Sequence, residues 1–531
     1  MVPFVPLGNE ALAQGALDAG VSGVYAYPGT PSTEITEYVQ RSAEARAGQV
    51  LGTWAANEKT AMEAALGMSY AGKRAMVCMK HVGLNVAADP FMNSAITGAH
   101  GGLIYAVADD PSMHSSQNEQ DSRFYARFAL IPALEPGNQQ EAYEVPFYAF
   151  DLSEKYRIPV LVRMTTRLSH SRANVVRREA RPQNTLVLPQ NPLQFVLLPA
   201  VSRRNYAELL ARQRDFEAEA ETSPFNRYED GPDASLGVIA CGIAYNYLME
   251  NFPEGCPHPV LKIGQYPLPT ALVRRLVERC DEILVLEEGM PLVEEMMRGY
   301  PLENGRVHGR LDGRLPRAGE LTPSAVAQAL GRSAQTGHFQ VPPVVADRPP
   351  QLCQGCPHAD TYRALNEALA DYTKGRVFSD IGCYTLGVMP PFNAINSCVD
   401  MGASVTMAKG AADAGLVPAV AVIGDSTFTH SGMTGLLDAV NASAPITVII
   451  VDNLTTAMTG GQESPGQGHL ESIAVGLGVA PEHVRVITPL PRQHEENVRV
   501  IREELAFEGV SVIIARRECV ETAKRRRRAS A

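Results

Sequence analysis

The sequence has 531 residues, of which 45% are hydrophobic and 20% charged, a composition that suits a folded chain of about three domains. Its 47 Lys and Arg residues are outnumbered by 58 Asp and Glu residues, and the net charge of −11 argues against a nucleic-acid-binding protein. No apolar run reaches the ~18 residues of a membrane span, and the first residues lack a signal-peptide pattern, so the sequence predicts a cytoplasmic location without a membrane partner.

The first part of the chain, residues 1–190, predicts a parallel α/β sheet. Four apolar runs, VSGVYAY, RAMVCM, GGLIYAVA and IPVLVRM, are separated by helical patterns, and strands that alternate with helices form doubly wound sheets. Residues 191–231 include a charged helical stretch, NYAELLARQRDFEAEAE, which we expect to bridge two domains.

Four further regions follow along the chain. LGVIACG, VLKIG and EILVLEEG, with VRRLVERC as a helix, predict a smaller α/β domain over residues 232–330. Residues 331–351 are rich in proline and polar residues and predict a linker. A third domain is expected over residues 352–520. Residues 521–531 form a basic segment that contains Lys524 and Arg525 to Arg528. This segment predicts a disordered, solvated tail, with docking to a partner as the alternative.

The most informative stretch of the third domain runs from Val422 to Asn453, VIGDSTFTHSGMTGLLDAVNASAPITVIIVDN. It predicts a strand-helix-strand unit, which places Asp425 and Asn453 at the carboxyl ends of two parallel strands, where open α/β sheets bind ligands. A carboxylate and an amide oxygen at that edge suit magnesium, which shares its coordination shell with phosphate oxygens. Gly424 and Gly432 would let the backbone approach a phosphate. The alternative is an ordinary crossover whose strand ends happen to be polar.

A second region of interest lies near the N-terminus. GVYAYPGTPSTEI predicts a strand, a Gly-Thr-Pro turn and a helix start that Ser32 or Thr33 caps. Glu58 then opens a helix with small residues on one face. Taken alone, Glu58 reads as a first-turn glutamate that the helix dipole favours.

Histidine and loop residues beside these strand ends are further candidates. His358, His430 and the Lys80-His81 pair lie at strand ends or in loops, where proton transfer or hydrogen bonding to a substrate is possible, although a lone histidine is more often structural. The string His114 to Arg123, HSSQNEQDSR, follows an apolar strand pattern and reads as an exposed loop.

Nine cysteines, unevenly spread, do not form the pattern of a disulfide framework. Cys353 and Cys356 form a CxxC pair, which could be a zinc half-site, a redox pair or two ligands of an iron–sulfur cluster. Cys383 lies a strand and a turn later in IGCYTLG.

The chain resembles the large subunit of indolepyruvate ferredoxin oxidoreductase, a family of the 2-oxoacid:acceptor oxidoreductases. The strings that carry this resemblance are YPGTPSTEI, ANEK, ADDPSMHSSQNEQDSR, CQGCPH, DIGCYTLG, GDSTFTHSG and DNLTTAMTG, and it runs from about residue 8 to about residue 520. It implies an α/β fold with three doubly wound domains: two bind thiamine diphosphate, one at the pyrimidine and one at the diphosphate, and the middle one is like the C-terminal domain of transketolase. The first and third domains are expected to be structurally similar.

The resemblance also implies roles for the site residues. The family's diphosphate motif reads GDG, about 27 residues, then NN; here Ser426 replaces the second glycine and Asp452 the first asparagine. Glu58 would activate the aminopyrimidine. The other expected cofactor contacts are Mg²⁺ binding by Asp425, Asn453 and the carbonyl of Thr455, diphosphate contact at Gly424 and Ser426, and a substrate-side position for Tyr27 and Thr30. His358 and His430 are the candidate proton-transfer residues, and the loop from His114 to Arg123 would close over the site, with Arg123 free to meet a carboxylate.

The wider superfamily further implies one 4Fe-4S cluster near the thiazolium ring. Its CxGC pair, GC turn and late cysteine match CQGC, IGC and ARREC, so Cys353, Cys356, Cys383 and Cys519 are the implied ligands. Cys398 is the rival for the fourth position, although the helical pattern that follows it predicts a sulfur facing the core. Cys78, Cys241, Cys256 and Cys280 are interpreted as structural.

The implied activity is the oxidative decarboxylation of an aryl 2-oxoacid, such as indolepyruvate or phenylpyruvate, to its acyl-CoA, with coenzyme A as cosubstrate. The implied partners are a smaller β- or γ-type oxidoreductase subunit and ferredoxin or another electron carrier, with the chain as a homodimer within a hetero-oligomer. One departure is that the family usually continues into a ferredoxin-like domain with two CxxCxxCxxxCP runs, which are absent before Ala531. This departure favours one alternative, a non-oxidative decarboxylase or carboligase. A second alternative is a non-catalytic scaffold subunit, against which the intact Glu58, Asp425 and Asn453 argue.

Overall fold

The computed structural model describes residues 4–191, 193–298, 306–333, 344–346 and 350–530. The chain forms two compact units, Met1–Phe339 and Gln340–Ala531. Most of the predicted linker, residues 331–351, lies outside the described residues, so that assignment and the domain boundaries stay predictions.

The first unit alternates strands with helices. Its strands are β1 (Gly23–Ala26), β2 (Leu51–Trp54), β3 (Ala75–Lys80), β4 (Leu103–Asp109), β5 (Ala133–Leu134), β6 (Val160–Thr165), β7 (Arg227–Glu229), β8 (Leu236–Cys241), β9 (Val260–Ile263), β10 (Gln265–Tyr266), β11 (Glu282–Leu286) and β12 (Val307–His308). Its helices are α1 (Gly8–Asp18), α2 (Thr33–Arg41), α3 (Ala43–Arg46), α4 (Glu58–Tyr70), α5 (His81–Val86), α6 (Ala88–Thr97), α7 (Ser122–Ala129), α8 (Gln139–Tyr156), α9 (Thr166–His170), α10 (Pro199–Ala211), α11 (Gln213–Glu221), α12 (Ala244–Met249), α13 (Thr270–Arg279), α14 (Leu292–Arg298) and α15 (Pro323–Ala329).

Two sheets share this first unit. The larger has the order β10-β5-β6-β4-β3-β1-β2 and is parallel except for β10, and the smaller has the order β12-β11-β8-β9-β7 and is parallel except for β7. Strand β10 follows β9 of the smaller sheet in sequence yet pairs with β5 of the larger one. The predicted strands and the charged helical stretch are confirmed, the latter as α10 and α11.

The second unit carries one six-stranded parallel sheet in the order β14-β13-β15-β16-β18-β17. Its strands are β13 (Val377–Ser379), β14 (Ser397–Cys398), β15 (Ala419–Gly424), β16 (Ile446–Asp452), β17 (Val484–Ile487) and β18 (Ser511–Arg516). Its helices are α16 (Pro357–Ala368), α17 (Ala403–Asp413), α18 (Asp425–Thr427), α19 (Met433–Asn441), α20 (Leu470–Gly476), α21 (His494–Leu505) and α22 (Val520–Ser530). Strands β15 and β16 are buried along their whole length, because helices cover both faces of a parallel sheet.

The two large sheets have the same topology. Counted from its first strand, the parallel part of each runs 5-6-4-3-1-2, as β5-β6-β4-β3-β1-β2 in the first unit and β17-β18-β16-β15-β13-β14 in the second. The expected similarity of the first and third domains is thereby confirmed. In each sheet the chain changes direction between its first and third strands, and the carboxyl ends of strands at such a switch point are the usual ligand site.

The C-terminal segment differs from its prediction. Residues expected to be disordered form the helix α22, Val520–Ser530, so that expectation is wrong. A run of basic residues is typical of a disordered tail, but this stretch lacks glycine and proline, and arginine and lysine are good helix formers. In the part of the chain that the structure describes, no helix is both long and apolar enough to cross a membrane.

Candidate functional site

Asp425 lies at the switch point of the second unit. The last residue of β15, Gly424, pairs with Val451 of β16, so Asp425 and Asn453 follow neighbouring parallel strands at the same edge. Asp425 is 3% exposed, and its Oδ2 atom is buried without a hydrogen-bond partner. Buried polar atoms in proteins are nearly always satisfied, so this oxygen suits a role as a cation ligand.

The electrostatics of Asp425 support the same interpretation. Burial, with the charge of Asp452 as the second cause, raises the pKa of Asp425 from 3.8 to about 7. The ionised form of such a buried carboxyl is unfavourable without a counter-ion. A bound divalent cation would lower the pKa of Asp425 again, because it favours the ionised form.

Asn453 is held in one orientation by its neighbours. Its Nδ2 lies 3.3 Å from Nε2 of His358, and its Oδ1 accepts a hydrogen bond of 3.2 Å from the backbone N–H of Thr455. Burial, and then the charge of Arg517, lowers the pKa of His358 from 6.5 to about 4, so the ring is neutral and can accept from the amide. His358 therefore orients a candidate metal ligand.

The two departures from the diphosphate motif have structural explanations. Asp452, in place of the first asparagine, accepts a hydrogen bond of 2.6 Å from Nε of Arg516, which also pairs with Glu471. Ser426, in place of the second glycine, accepts a hydrogen bond of 3.1 Å from the hydroxyl of Thr456. Ser426 therefore joins the helix start to the loop that follows Asn453.

The two glycines of the motif are required for packing. A Cβ atom on Gly424 would lie 2.7 Å from Cε1 of Tyr384, and one on Gly432 would lie 2.6 Å from Cδ1 of Ile423. Protein neighbours therefore occupy the space on the Cβ side of both glycines, so a larger residue at either position would displace them.

Asp380 and Tyr384 were missed by the sequence interpretation. Asp380 follows β13 and accepts hydrogen bonds from the Tyr384 hydroxyl, from Ser404 Oγ at 2.6 Å and from the Gly402 N–H at 3.2 Å. Burial raises the pKa of Asp380 to about 7. In the sequence, the DIGC string places the Asp380 carboxyl at the end of a strand, and this position could have identified it as a candidate site residue.

Four of the cysteines interact with one another. Burial raises the pKa of the Cys383 thiol to about 12, and the charges of Cys356, Cys519 and Cys353 raise it further. Burial likewise raises the pKa of the Cys356 thiol, and the charges of Cys353 and Cys519 raise it further. The four thiols therefore act on one another electrostatically, and their role as cluster ligands stays a prediction.

Arg517 connects the segments that carry these cysteines. Its guanidinium donates to the carbonyls of Gly355 and Pro489 and, at 2.8 Å, to Asp360, while the Cys519 N–H donates to the Asn453 carbonyl at 3.1 Å. Among the described residues, no three His, Cys, Asp or Glu side chains converge as a single metal ion would require.

Cys398 lies apart from this group. It is on the edge strand β14 and exposed, so the prediction that its sulfur faces the core is wrong. Its Sγ lies 3.7 Å from the Asp380 carbonyl oxygen, and the charges acting on it come from Asp380 and Asp400, not from other cysteines. An edge strand has a neighbouring strand on one side only. The small-residue helix α17, on which the prediction for Cys398 depends, begins at Ala403, after a turn of the chain.

In the first unit, Glu58 opens α4 as predicted and is 4% exposed. Its carboxylate lies against Gly83 of α5, where an added Cβ would be 2.5 Å from Oε1. Glu58 also acts electrostatically on Lys80. Burial lowers the pKa of Lys80 from 10.5 to about 8, although the charges of Asp110 and Glu58 act to raise it. Lys80 donates to the Ser115 carbonyl at 3.0 Å.

The Gly-Thr-Pro turn lies at the switch point of the larger sheet. Tyr27 is buried and Thr30 is partly exposed, and the Thr30 carbonyl accepts a hydrogen bond of 3.3 Å from Ser115 Oγ. Ser32 is the N-cap residue of α2, as predicted, but its side chain makes no capping hydrogen bond: Ser32 Oγ donates to the Gly29 carbonyl at 2.7 Å and Thr33 Oγ1 accepts from the Gly29 N–H at 3.0 Å. Both hydroxyls thus fix the turn instead of capping α2.

Arg123 does not meet a substrate carboxylate. It is 1% exposed and donates to Asp121 at 2.6 Å and to Glu287 at 3.0 Å. Arg163 extends this buried network to Asp109 at 2.6 Å and to Glu135. Because Glu287 follows β11 of the smaller sheet, Arg123 joins the two sheets of the first unit, a role that the loop sequence could not reveal.

His430 lies in a π-helical turn, Phe428–Gly432, between α18 and α19. It is 3% exposed, and its Nδ1 lies 2.7 Å from Ser431 Oγ. Such π turns recur at functional sites, so the catalytic role predicted for His430 stays a prediction.

Two family models match the chain. Residues 14–213 match the model for pyruvate flavodoxin/ferredoxin oxidoreductase, thiamine diphosphate-binding, and residues 380–513 match the C-terminal binding domain of thiamine pyrophosphate enzymes. With the site geometry, they define a thiamine diphosphate enzyme of the 2-oxoacid:acceptor oxidoreductase class.

Curated relatives identify the family. The chain is 39% identical to indolepyruvate oxidoreductase subunit IorA of Pyrococcus abyssi over 97% of this chain and 85% of that protein. It is 40% identical to the subunit of the same name from Methanothermobacter marburgensis over 97% of this chain and 86% of that protein. The chain therefore belongs to the IorA family of indolepyruvate oxidoreductase subunits.

A solved structure supports the fold alone. The chain is similar, with a TM-score of 0.51 and 17% identity, to a 2-oxoglutarate:ferredoxin oxidoreductase from Magnetococcus marinus. The match spans 62% of this chain and 65% of that one.

Proposed function

We propose that this chain is the catalytic subunit of an enzyme that oxidatively decarboxylates an aryl 2-oxoacid to its acyl-CoA and passes the electrons to a 4Fe-4S cluster. The observation that carries the proposal is the grouping of Cys353, Cys356, Cys383 and Cys519 in the same unit as the Asp425 site.

The residues fit the cofactor as follows. Asp425 Oδ2, Asn453 Oδ1 and the Thr455 carbonyl would hold Mg²⁺, with Gly424 and Ser426 beside the diphosphate. Glu58 would exchange a proton with the aminopyrimidine ring. Thiamine diphosphate, when bound, supplies the electron sink for decarboxylation.

The overall reaction balances with two electrons. A 2-oxoacid anion and coenzyme A thiol give the thioester, carbon dioxide, one proton and two electrons. A 4Fe-4S cluster, when bound, would supply one-electron transfer for these two electrons. The thiols of Cys353, Cys356, Cys383 and Cys519 would bind its four irons.

The aryl substrate and the partners are proposed from the relatives. Proteins that share about two fifths of their residues with this chain bear the name indolepyruvate oxidoreductase subunit. We infer a smaller second subunit, coenzyme A as cosubstrate, a separate electron carrier and a homodimer of this chain within the complex.

The test is anaerobic purification of wild type and of the variants Cys519→Ser and Cys398→Ser. Wild type and Cys398→Ser should contain about four irons per chain, and Cys519→Ser should lose most of them. Thiamine diphosphate affinity, measured by calorimetry, should stay unchanged in all three. Wild-type protein without iron would remove the redox proposal, and iron loss in Cys398→Ser alone would show that the fourth ligand is misassigned.

A further inference from the structure

The C-terminal helix α22 concentrates positive charge on an acidic protein. Five consecutive basic residues, Lys524 to Arg528, lie in a chain whose net charge is −11, and all five are exposed. A run of this kind is usually a solvated tail, so its position in the fold decides whether it can do more.

The helix is fixed to the second unit on one side. Arg525 donates to the Gly460 carbonyl at 2.8 Å, and Arg526 pairs with Glu518 just before the helix. Lys524, Arg527 and Arg528 have the i, i+3, i+4 spacing of one helix face. Lys524 pairs with Glu521 at 2.7 Å, whereas within the described part of the chain Arg527 and Arg528 make no hydrogen bond or ion pair, so these two guanidinium groups present their charge to solvent.

The same helix borders the cysteine group. Val520 follows Cys519 directly, and its Cγ1 lies 3.9 Å from where a Cβ on Gly355 would be, within the Cys353–Cys356 loop. Cys353 is exposed, so the thiol group reaches the surface beside the base of α22. The positive charge therefore lies next to the point where electrons would leave the cluster.

We propose that the exposed face of α22 is the docking surface for an acidic one-electron carrier protein. The carrier would be repelled by the net negative charge of the chain and attracted at this helix, so encounters would be steered toward Cys353. This inference rests on the proposed function, because it requires a redox cluster at the four cysteines.

The electron balance requires two carrier molecules for each turnover. One 2-oxoacid releases two electrons, and each oxidised carrier, an iron–sulfur protein of the ferredoxin class, takes up one and departs. Because docking is repeated within a turnover, weak salt-sensitive binding suits the task better than a permanent interface.

The test compares Arg527→Glu/Arg528→Glu with a matched control, Lys374→Glu/Arg502→Glu, in the complex with the partner subunit. Lys374 precedes β13 and Arg502 lies in the last turn of α21, so both control positions are exposed near the amino ends of the strands. Reduction of an acidic ferredoxin is measured against ionic strength, alongside reduction of methyl viologen, a small dye that needs no docking surface.

We expect the α22 variant to raise the KM for ferredoxin by about tenfold or more at low salt and to flatten its salt dependence, with methyl viologen reduction and iron content unchanged. The control should behave as wild type. An unchanged ferredoxin KM, or an equal rise in the control, would overturn the proposal.

Two further outcomes are informative. In one of them, the α22 variant has unchanged ferredoxin kinetics but no longer binds anionic vesicles or an oligonucleotide. That result would show that the helix binds lipid or nucleic acid and would overturn the proposed protein partner. Wild-type protein that reduces neither ferredoxin nor methyl viologen would overturn the proposed function, and the docking surface with it.

Discussion

Replacing Asp425 with asparagine should separate the stability of the second unit from its ability to bind the cofactor. The carboxylate is 3% exposed and has a buried oxygen without a hydrogen-bond partner. An amide of the same shape removes the buried charge, which should stabilise the fold. It also removes the anionic ligand that magnesium needs. We therefore expect the cofactor-free variant to be more stable than wild type and unable to bind thiamine diphosphate with magnesium.

The size of the effect follows from the pKa. Burial and the charge of Asp452 raise the pKa of Asp425 from 3.8 to about 7, and at about 1.4 kcal/mol per unit this gives an upper bound of about 4 kcal/mol. Burying the amide costs about 1–2 kcal/mol, which leaves a net gain of about 2–3 kcal/mol at pH 8.

The sign depends on pH. The folded carboxyl keeps a proton that the unfolded chain releases, so its destabilising effect is absent below pH 3.8 and complete above about pH 7. The advantage of the variant should therefore be near zero at pH 5 and full at pH 8.

Native-state hydrogen exchange of β15 and β16 measures this free energy within the second unit. A gain of about 2–3 kcal/mol slows exchange through global opening by about 30- to 150-fold. The matched control is Asp438→Asn, an exposed carboxyl on α19, which should change stability by less than about 0.5 kcal/mol.

Two results would refute this reasoning. One is a variant that is no more stable than wild type at pH 8. The other is a variant that still binds thiamine diphosphate with wild-type affinity in the presence of magnesium, because Asp425 could not then be a metal ligand.

Four further substitutions test the first unit. Glu58→Gln should lower kcat by at least about 100-fold while calorimetry finds cofactor affinity unchanged; near-normal turnover would exclude it from proton exchange. Gly83→Ala places a methyl group 2.5 Å from Oε1 of Glu58 and should lower kcat by about tenfold with normal cofactor affinity; an unchanged kcat would contradict that contact. Arg163→Met leaves buried carboxylates unpaired and should destabilise the unit by about 3–5 kcal/mol in chemical denaturation; wild-type stability would contradict the network. Burial, and then the charge of Glu320, raises the pKa of Glu288 from 4.5 to about 7, so the unit should lose stability as the pH rises from 4.5 to 7. Glu288→Gln should reduce this dependence of stability on pH. An unchanged dependence would contradict the raised pKa of Glu288.

The sequence alone determined the local structure and the main site positions. Apolar runs separated by helical patterns predicted the strands, because a parallel sheet covered on both faces requires nearly continuous apolar segments. Asp425 and Asn453 followed from the same logic, since polar residues directly after such runs must lie at the carboxyl edge. Glu58 was placed at the start of α4 by its local pattern.

Tertiary structure decided which distant residues meet. Arg123 read as a residue of an exposed loop, yet it is buried against Glu287, which is far away in sequence. Cys398 and Cys519 were rivals for one position, and only the order of the strands put Cys519 with the other thiols and Cys398 on an exposed edge. Local periodicity determines which face of an element is apolar, but strand order and packing partners depend on contacts between segments that are remote in sequence.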